Sequence, residues 1–173
     1  PVAPAHDRNT IIDAFPRYVG NEQHLNIIDN GVRNPAENNC GYLSFIDGIR
    51  NLRGDVAITD DPVVLRHDLA TYIDNNRLNL QNRYTNNFLD QALLRIRSDI
   101  PANSWAYDTE LSILAEMYDV CILIWENINS PVIGWTKCPP NCQTALNNTI
   151  YMYNTQQLLQ GQQYANLGIG GWH

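Results

Sequence analysis

The sequence predicts an α+β domain, with helices packed around a small central β-sheet. Three observations predict it. Apolar residues recur at helical spacing from about residue 40 to residue 117. Short continuous or alternating apolar runs, the mark of strands, cluster after residue 119. No internal repeat and no linker separates the two parts, so helices and strands share one core. At 173 residues, 44% hydrophobic and 17% charged, the chain has the size and composition of one globular domain. Residues 1–173 are read as that domain, with residues 1–35 as an N-terminal extension packed on it.

Each element follows from a local pattern. The extension carries an apolar cluster at Ile11, Ile12, Phe15 and Tyr18, then Leu25, Ile27 and Ile28. Pro35 to Asn39 is a turn or loop. From Cys40, the residues Tyr42, Phe45, Ile46, Ile49 and Leu52 follow helical spacing until Gly54 and Asp55 break it. Pro62, preceded by Asp60 and Asp61, suits a helix first turn. That helix presents Val64, Leu65, Leu69, Tyr72 and Ile73 to the core. A third helix runs from Asn87 to Arg97 through Phe88, Leu89, Ala92, Leu93 and Ile96. Residues 101–107 form a loop, and Asp108 is the candidate N-cap of a mostly buried helix through Met117. Val120 to Trp125 is short and continuously apolar, which suits a buried strand. Residues 131–136 read as a second strand. Thr149 to Tyr153 alternates and is rich in aromatics, so it reads as a third.

Composition excludes whole classes of function. The formal net charge is −7, and Lys137 is the only lysine among 11 basic residues. Such a domain has little positive charge with which to displace counterions from a nucleic acid. No apolar run approaches the roughly 20 residues of a membrane span. No signal-peptide pattern opens the chain. It begins without Met and reads as part of a longer protein.

Four cysteines are present: Cys40, Cys121, Cys138 and Cys142. Cys121 lies inside the apolar run 120–125, where a cysteine behaves as a small hydrophobe. Cys138 and Cys142 flank Pro139, Pro140 and Asn141. They could form a local disulfide, half a metal site, or a loop with two thiols. Zinc needs about four ligands, and no second pair stands at ligand spacing, so no metal and no cofactor is expected. The sequon Asn147-Asn148-Thr149 matters only in a secreted chain. A reducing, cytoplasmic setting is the reading adopted.

Cys40 is the candidate nucleophile. It stands where a loop turns into a helix, and a thiol at a helix N-terminus ionises more readily. Backbone N–H groups of that loop could also form an oxyanion hole, and Asn38 and Asn39 could brace it. The alternative is a small core residue at a helix start. A general base must come from His6, His24, His67 or His173. His67 falls on the helix face opposite Leu65 and Leu69 and should be solvated. A nucleophile on an early helix with a histidine after a late strand is the papain-type chain order. No dinucleotide fingerprint, Walker A loop, G-x-S-x-G elbow or H-E-x-x-H is present.

The segment Glu37-Asn38-Asn39-Cys40-Gly41-Tyr42-Leu43-Ser44 resembles the catalytic-cysteine motif of the ovarian tumour (OTU) family of deubiquitinating cysteine proteases. That motif reads Asp-Gly-Asn-Cys-apolar-aromatic-x-Ser, and Asn39, Cys40, Tyr42 and Ser44 match it. Residues 105–116, Trp-Ala-Tyr-Asp-Thr-Glu-Leu-Ser-Ile-Leu-Ala-Glu, look like the family's Trp-Gly-Gly-x-x-Glu-Leu-x-x-Leu-Ala block. Leu65 to Ile73 resembles its Leu-Arg helix. Ile150 to Asn154 resembles the strand before its catalytic histidine. Glu37 and Asn38 depart from the family's Asp and Gly, and Gly41 loosens the first helical turn. The departures mark a divergent member, microbial or viral.

The resemblance implies a papain-like OTU fold and a thiol protease that cleaves isopeptide or peptide bonds after the ubiquitin C-terminal glycine. It implies Cys40 as nucleophile and His173 as base, with Glu37, Asn38, Asn39 and Cys40 forming the oxyanion loop. The family's histidine could instead align at Gln163, which would leave a ubiquitin-binding pseudo-enzyme. A viral polyprotein-processing protease of the same fold is a further alternative. Asp7 or Asp13 could orient the histidine. The implied partner is ubiquitin, polyubiquitin or a ubiquitin-like modifier, whose basic face suits an acidic chain.

Overall fold

A computed structural model of the chain describes residues 39–100, 103–126, 135–145, 147–154 and 171–172. The apolar cluster and candidate histidines of residues 1–38 lie outside the described residues, as do residues 131–134 of the expected second strand. Among the described residues, five helices precede the strands: α1 (Cys40–Arg53), α2 (Pro62–Asn75), α3 (Arg77–Leu80), α4 (Asn86–Arg97) and α5 (Asp108–Tyr118). The strands are β1 (Cys121–Glu126), β2 (Trp135–Cys138), β3 (Thr149–Asn154) and β4 (Gly171–Trp172). Helices first and strands last is the α+β order the sequence predicts.

Side chains at the helix starts explain most boundaries. Asp61 caps α2 by accepting from the Val63 N–H at 2.8 Å, with Pro62 in the first turn. Thr85 caps α4 through the Phe88 N–H at 3.2 Å. At α5 the N-cap is Tyr107, not Asp108. The Glu110 carboxylate reaches back to the Tyr107 N–H at 2.9 Å, which starts the helix one residue earlier than an Asp108 cap would. Asp108 becomes a first-turn acid, favourable at the positive end of the helix dipole.

The sheet order is β2-β1-β3-β4. β1 pairs antiparallel with β2 and parallel with β3, and β3 pairs antiparallel with β4. Of the expected second strand, residues 135 and 136 are described, and they belong to a strand that continues to Cys138. Alternation places Ile122, Ile124, Ile150, Met152 and Cys138 in the core with the helices. α1 packs against β3 and β4, and α5 against β1 and β2. α2 and α4 form an outer layer on α5 and on each other.

Gly48 sets the seat of α1 on the sheet. A Cβ built there would lie 2.9 Å from Ile150 Cδ1 and 3.0 Å from Cγ1, and closer still to Cγ2. Gly48→Ala is therefore expected to destabilise the domain by about 1–3 kcal/mol, although alanine is the better helix former by about 1 kcal/mol. Adding Ile150→Ala should make the double variant less destabilised than the sum of the singles. Urea unfolding measures both, and a raised midpoint in Gly48→Ala alone would contradict the close seat.

The cysteines are arranged differently from the local reading. Cys121 is joined to Cys142 in a disulfide, so Cys121 is not merely a small hydrophobe and Cys142 is not bonded to Cys138. The metal alternative for Cys138 and Cys142 falls with the pairing. The physical reason is strand alternation. Cys138 stands opposite Ile122 and shares its core face, so Cys121 points to the other face, where the returning chain brings Cys142. Their Cα atoms are 5.6 Å apart, within the range a disulfide requires. With a sequence separation of 21 residues, the cross-link stabilises the fold by about 3 kcal/mol on chain-entropy grounds. Cys142→Ser is expected to lower the melting temperature in oxidising buffer. With excess dithiothreitol, parent and variant should melt together; a gap that persisted would place the effect elsewhere than the bond.

Candidate functional site

The site is built around the start of α1. Asn39 lies in a turn and Cys40 is the first helical residue. Cys40 is 2% exposed, with Tyr42, Ser44 and Phe45 buried behind it. Asparagine is among the best capping residues. Here its side chain makes no capping bond to its helix. Its Oδ1 instead accepts from Arg66 Nε at 2.7 Å.

Arg66 projects from α2 and is 7% exposed. Its Nη2 donates to the Ser104 carbonyl at 2.6 Å and its Nη1 to the Arg95 carbonyl at 3.4 Å. Its guanidinium carbon sits 4.2 Å from the centre of the Tyr42 ring, a cation–π geometry. Burial pulls the Arg66 pKa down, and Tyr42, Glu110 and Cys40 oppose that pull electrostatically.

One layer out, Arg95 donates from Nε and Nη2 to the two oxygens of Glu110, at 2.9 and 2.6 Å. Arg95 also lies over the Tyr107 ring at 4.1 Å. Glu110 is fully buried. Three segments far apart in sequence are thus tied together: the cysteine motif, the Leu65–Ile73 helix and the 105–116 block. Sequence reasoning found each block and missed that arginines join them. The available signal was Arg66 itself, a charge beside Leu65 and Leu69 in an apolar stripe.

The Tyr42 hydroxyl has no hydrogen-bond partner among the described residues, and burial, then Glu110, pushes its pKa well up. Tyr42→Phe removes an unsatisfied buried group. It is expected to be neutral or to stabilise by about 1 kcal/mol, with the ring retained over Arg66. A loss above that size in urea unfolding would reveal a partner for the hydroxyl.

His67 is exposed on α2, as its helix face predicts. It is the only histidine among the described residues. It lines an open groove of about 500 Å³ with Asn39, Arg66, Ile96, Arg97 and Asp99. Of the sequence-predicted site residues, the structure places Asn39 and Cys40 together at the start of α1. Glu37, Asn38 and His173 lie outside the described residues, as do Gln163, Asp7 and Asp13. β4, the two residues before His173, pairs with β3 and packs against α1. No group of three or more potential metal ligands occurs among the described residues. No helix among them is long and apolar enough to cross a membrane.

A cysteine opening a helix that packs on a late sheet is the layout of a papain-like fold. Solved structures narrow it to the OTU fold. The viral OTU domain protease of Taggert virus is similar with a TM-score of 0.52 and 17% identity, covering 83% of this chain and 84% of that one. The OTU domain of OTUD1 is similar with a TM-score of 0.51 and 16% identity, covering 84% and 86%. No family model matches the sequence, and no curated protein matches it by sequence.

Proposed function

We propose that the chain is a divergent thiol-dependent deubiquitinase. Cys40 is the nucleophile, and His173 takes its proton. The thiolate attacks the carbonyl of the ubiquitin C-terminal glycine, expels the amine and leaves a thioester that water hydrolyses. Backbone N–H groups near Asn38 and Cys40 hold the oxyanion, with Glu37 and Asn39 completing the loop.

The observation that carries this reading is the start of α1 in an OTU fold: the motif cysteine opens the helix, and β4, immediately before His173, packs on that same helix. The packing supports His173 as the base position. A thiol only 2% exposed is reached by a thin extended tail rather than by a folded surface, which suits a C-terminal peptide as substrate. The acidic net charge suits a basic partner. A cytoplasmic setting, where ubiquitin conjugates are met, fits this reading.

A ubiquitin bearing a C-terminal electrophile tests the proposal. Covalent labelling of the folded wild-type chain is expected, with the adduct mapped to Cys40 by mass spectrometry. Labelling at another cysteine, or none, overturns it. Ubiquitin binding without labelling would identify a pseudo-enzyme.

A further inference from the structure

We propose that Arg66 is a positioning residue that latches Asn39 and thereby fixes the backbone leading into Cys40. The inference rests on the reading of Cys40 as the nucleophile and deepens it. It starts from the choice Asn39 makes. A capping asparagine usually turns its oxygen onto the N–H groups of its own first turn and gains about 1 kcal/mol. Asn39 gives that up and accepts instead from a guanidinium at 2.7 Å, a charge-assisted bond roughly twice as strong as a neutral one.

Arg66 cannot follow Asn39 if the loop moves. Its other nitrogens are held by the Ser104 and Arg95 carbonyls, and the Tyr42 ring closes one face. The Arg95 chain is itself clamped by Glu110. The guanidinium is therefore an anchored post. Asn39 is tied to it one peptide bond before the nucleophile. Two consequences follow. The Asn39 amide is kept off the first-turn N–H groups of α1, which leaves the cap position to a reacting oxyanion. The Cys40 backbone is also held relative to α2 without any contact between Arg66 and substrate. Preorganisation of this kind acts on turnover more than on binding, since a displacement of about 1 Å at a reacting group costs on the order of 10²-fold.

The test compares the wild type with Arg66→Lys, Asn39→Ala and the double variant. Lysine keeps the charge and can meet one carbonyl, but it cannot present the fork. Two rates are read beside the melting temperature: turnover of a ubiquitin C-terminal fluorogenic amide, and alkylation of Cys40 by iodoacetamide. Each single change is expected to lower kcat by about 10- to 100-fold with KM within about twofold. The double variant should be no slower than the worse single, because both break one link. Losses that multiply in the double variant, or that raise KM in step with the fall in kcat, overturn the latch. If the wild type turns over no ubiquitin substrate, the deubiquitinase reading fails and alkylation still decides the latch. The same non-additive slowing would uphold it, and unchanged alkylation in every variant would end it.

Discussion

Cys40→Ala is expected to lower turnover of a ubiquitin C-terminal amide by at least about 10⁴-fold, with the fold intact. The size follows from the chemistry. Alanine has no nucleophile, and what remains is binding and oxyanion stabilisation around an uncatalysed attack by water. The fold should hold because the change removes one heavy atom from a site at the helix edge. That deletion leaves a small cavity and costs about 1 kcal/mol. The Arg66–Asn39 bond does not involve the sulfur. Initial rates and a thermal melt on the same preparation check both halves. Residual turnover within tenfold of wild type would remove Cys40 from the mechanism, whatever the fold resembles.

Glu110→Gln should be the most damaging of the stability changes discussed. Its carboxylate is fully buried and meets Arg95 through two hydrogen bonds, while also accepting the Tyr107 N–H. Removing one partner of a buried pair costs about 3–5 kcal/mol. The Arg95 side chain is 17% exposed, so water recovers part of its charge and the lower figure applies. The start of α5 loses a charged acceptor as well. Replacing both partners, as in Arg95→Met with Glu110→Leu, should recover most of the loss, because no buried charge is then left alone. Urea unfolding of the wild type and the two variants measures this. A Glu110→Gln loss below 1 kcal/mol would show that the pair is not a structural support.

The pH dependence of that difference has a defined sign. Burial pushes the Glu110 carboxyl above its ordinary range, against the pull of Arg95. The folded chain therefore binds a proton there more readily than the unfolded chain does. This contribution is full below the unfolded carboxylate range and is lost as pH rises through the folded value. Through this group alone, the gap between wild type and Glu110→Gln should be widest below the unfolded carboxylate range and narrow as pH rises.

The sequence alone determined what depends on neighbours a few residues away. Asp61 and Pro62 marked the start of α2 because a cap and a fixed φ act within one turn. The apolar run at 120–125 marked β1 because a buried strand has no polar face to show. Cys40 at a loop-to-helix junction marked the candidate nucleophile, and the motif around it named the fold. The tertiary structure decided what depends on two segments meeting. Cys121 paired with Cys142 rather than remaining a free buried thiol because strand alternation sends Cys121 and Cys138 to opposite faces of the sheet. Asn39 abandoned its cap because α2 brings a guanidinium from 27 residues away within hydrogen-bond reach. No local propensity encodes either event: each is a competition between partners, settled by which one the packed core holds at bonding distance.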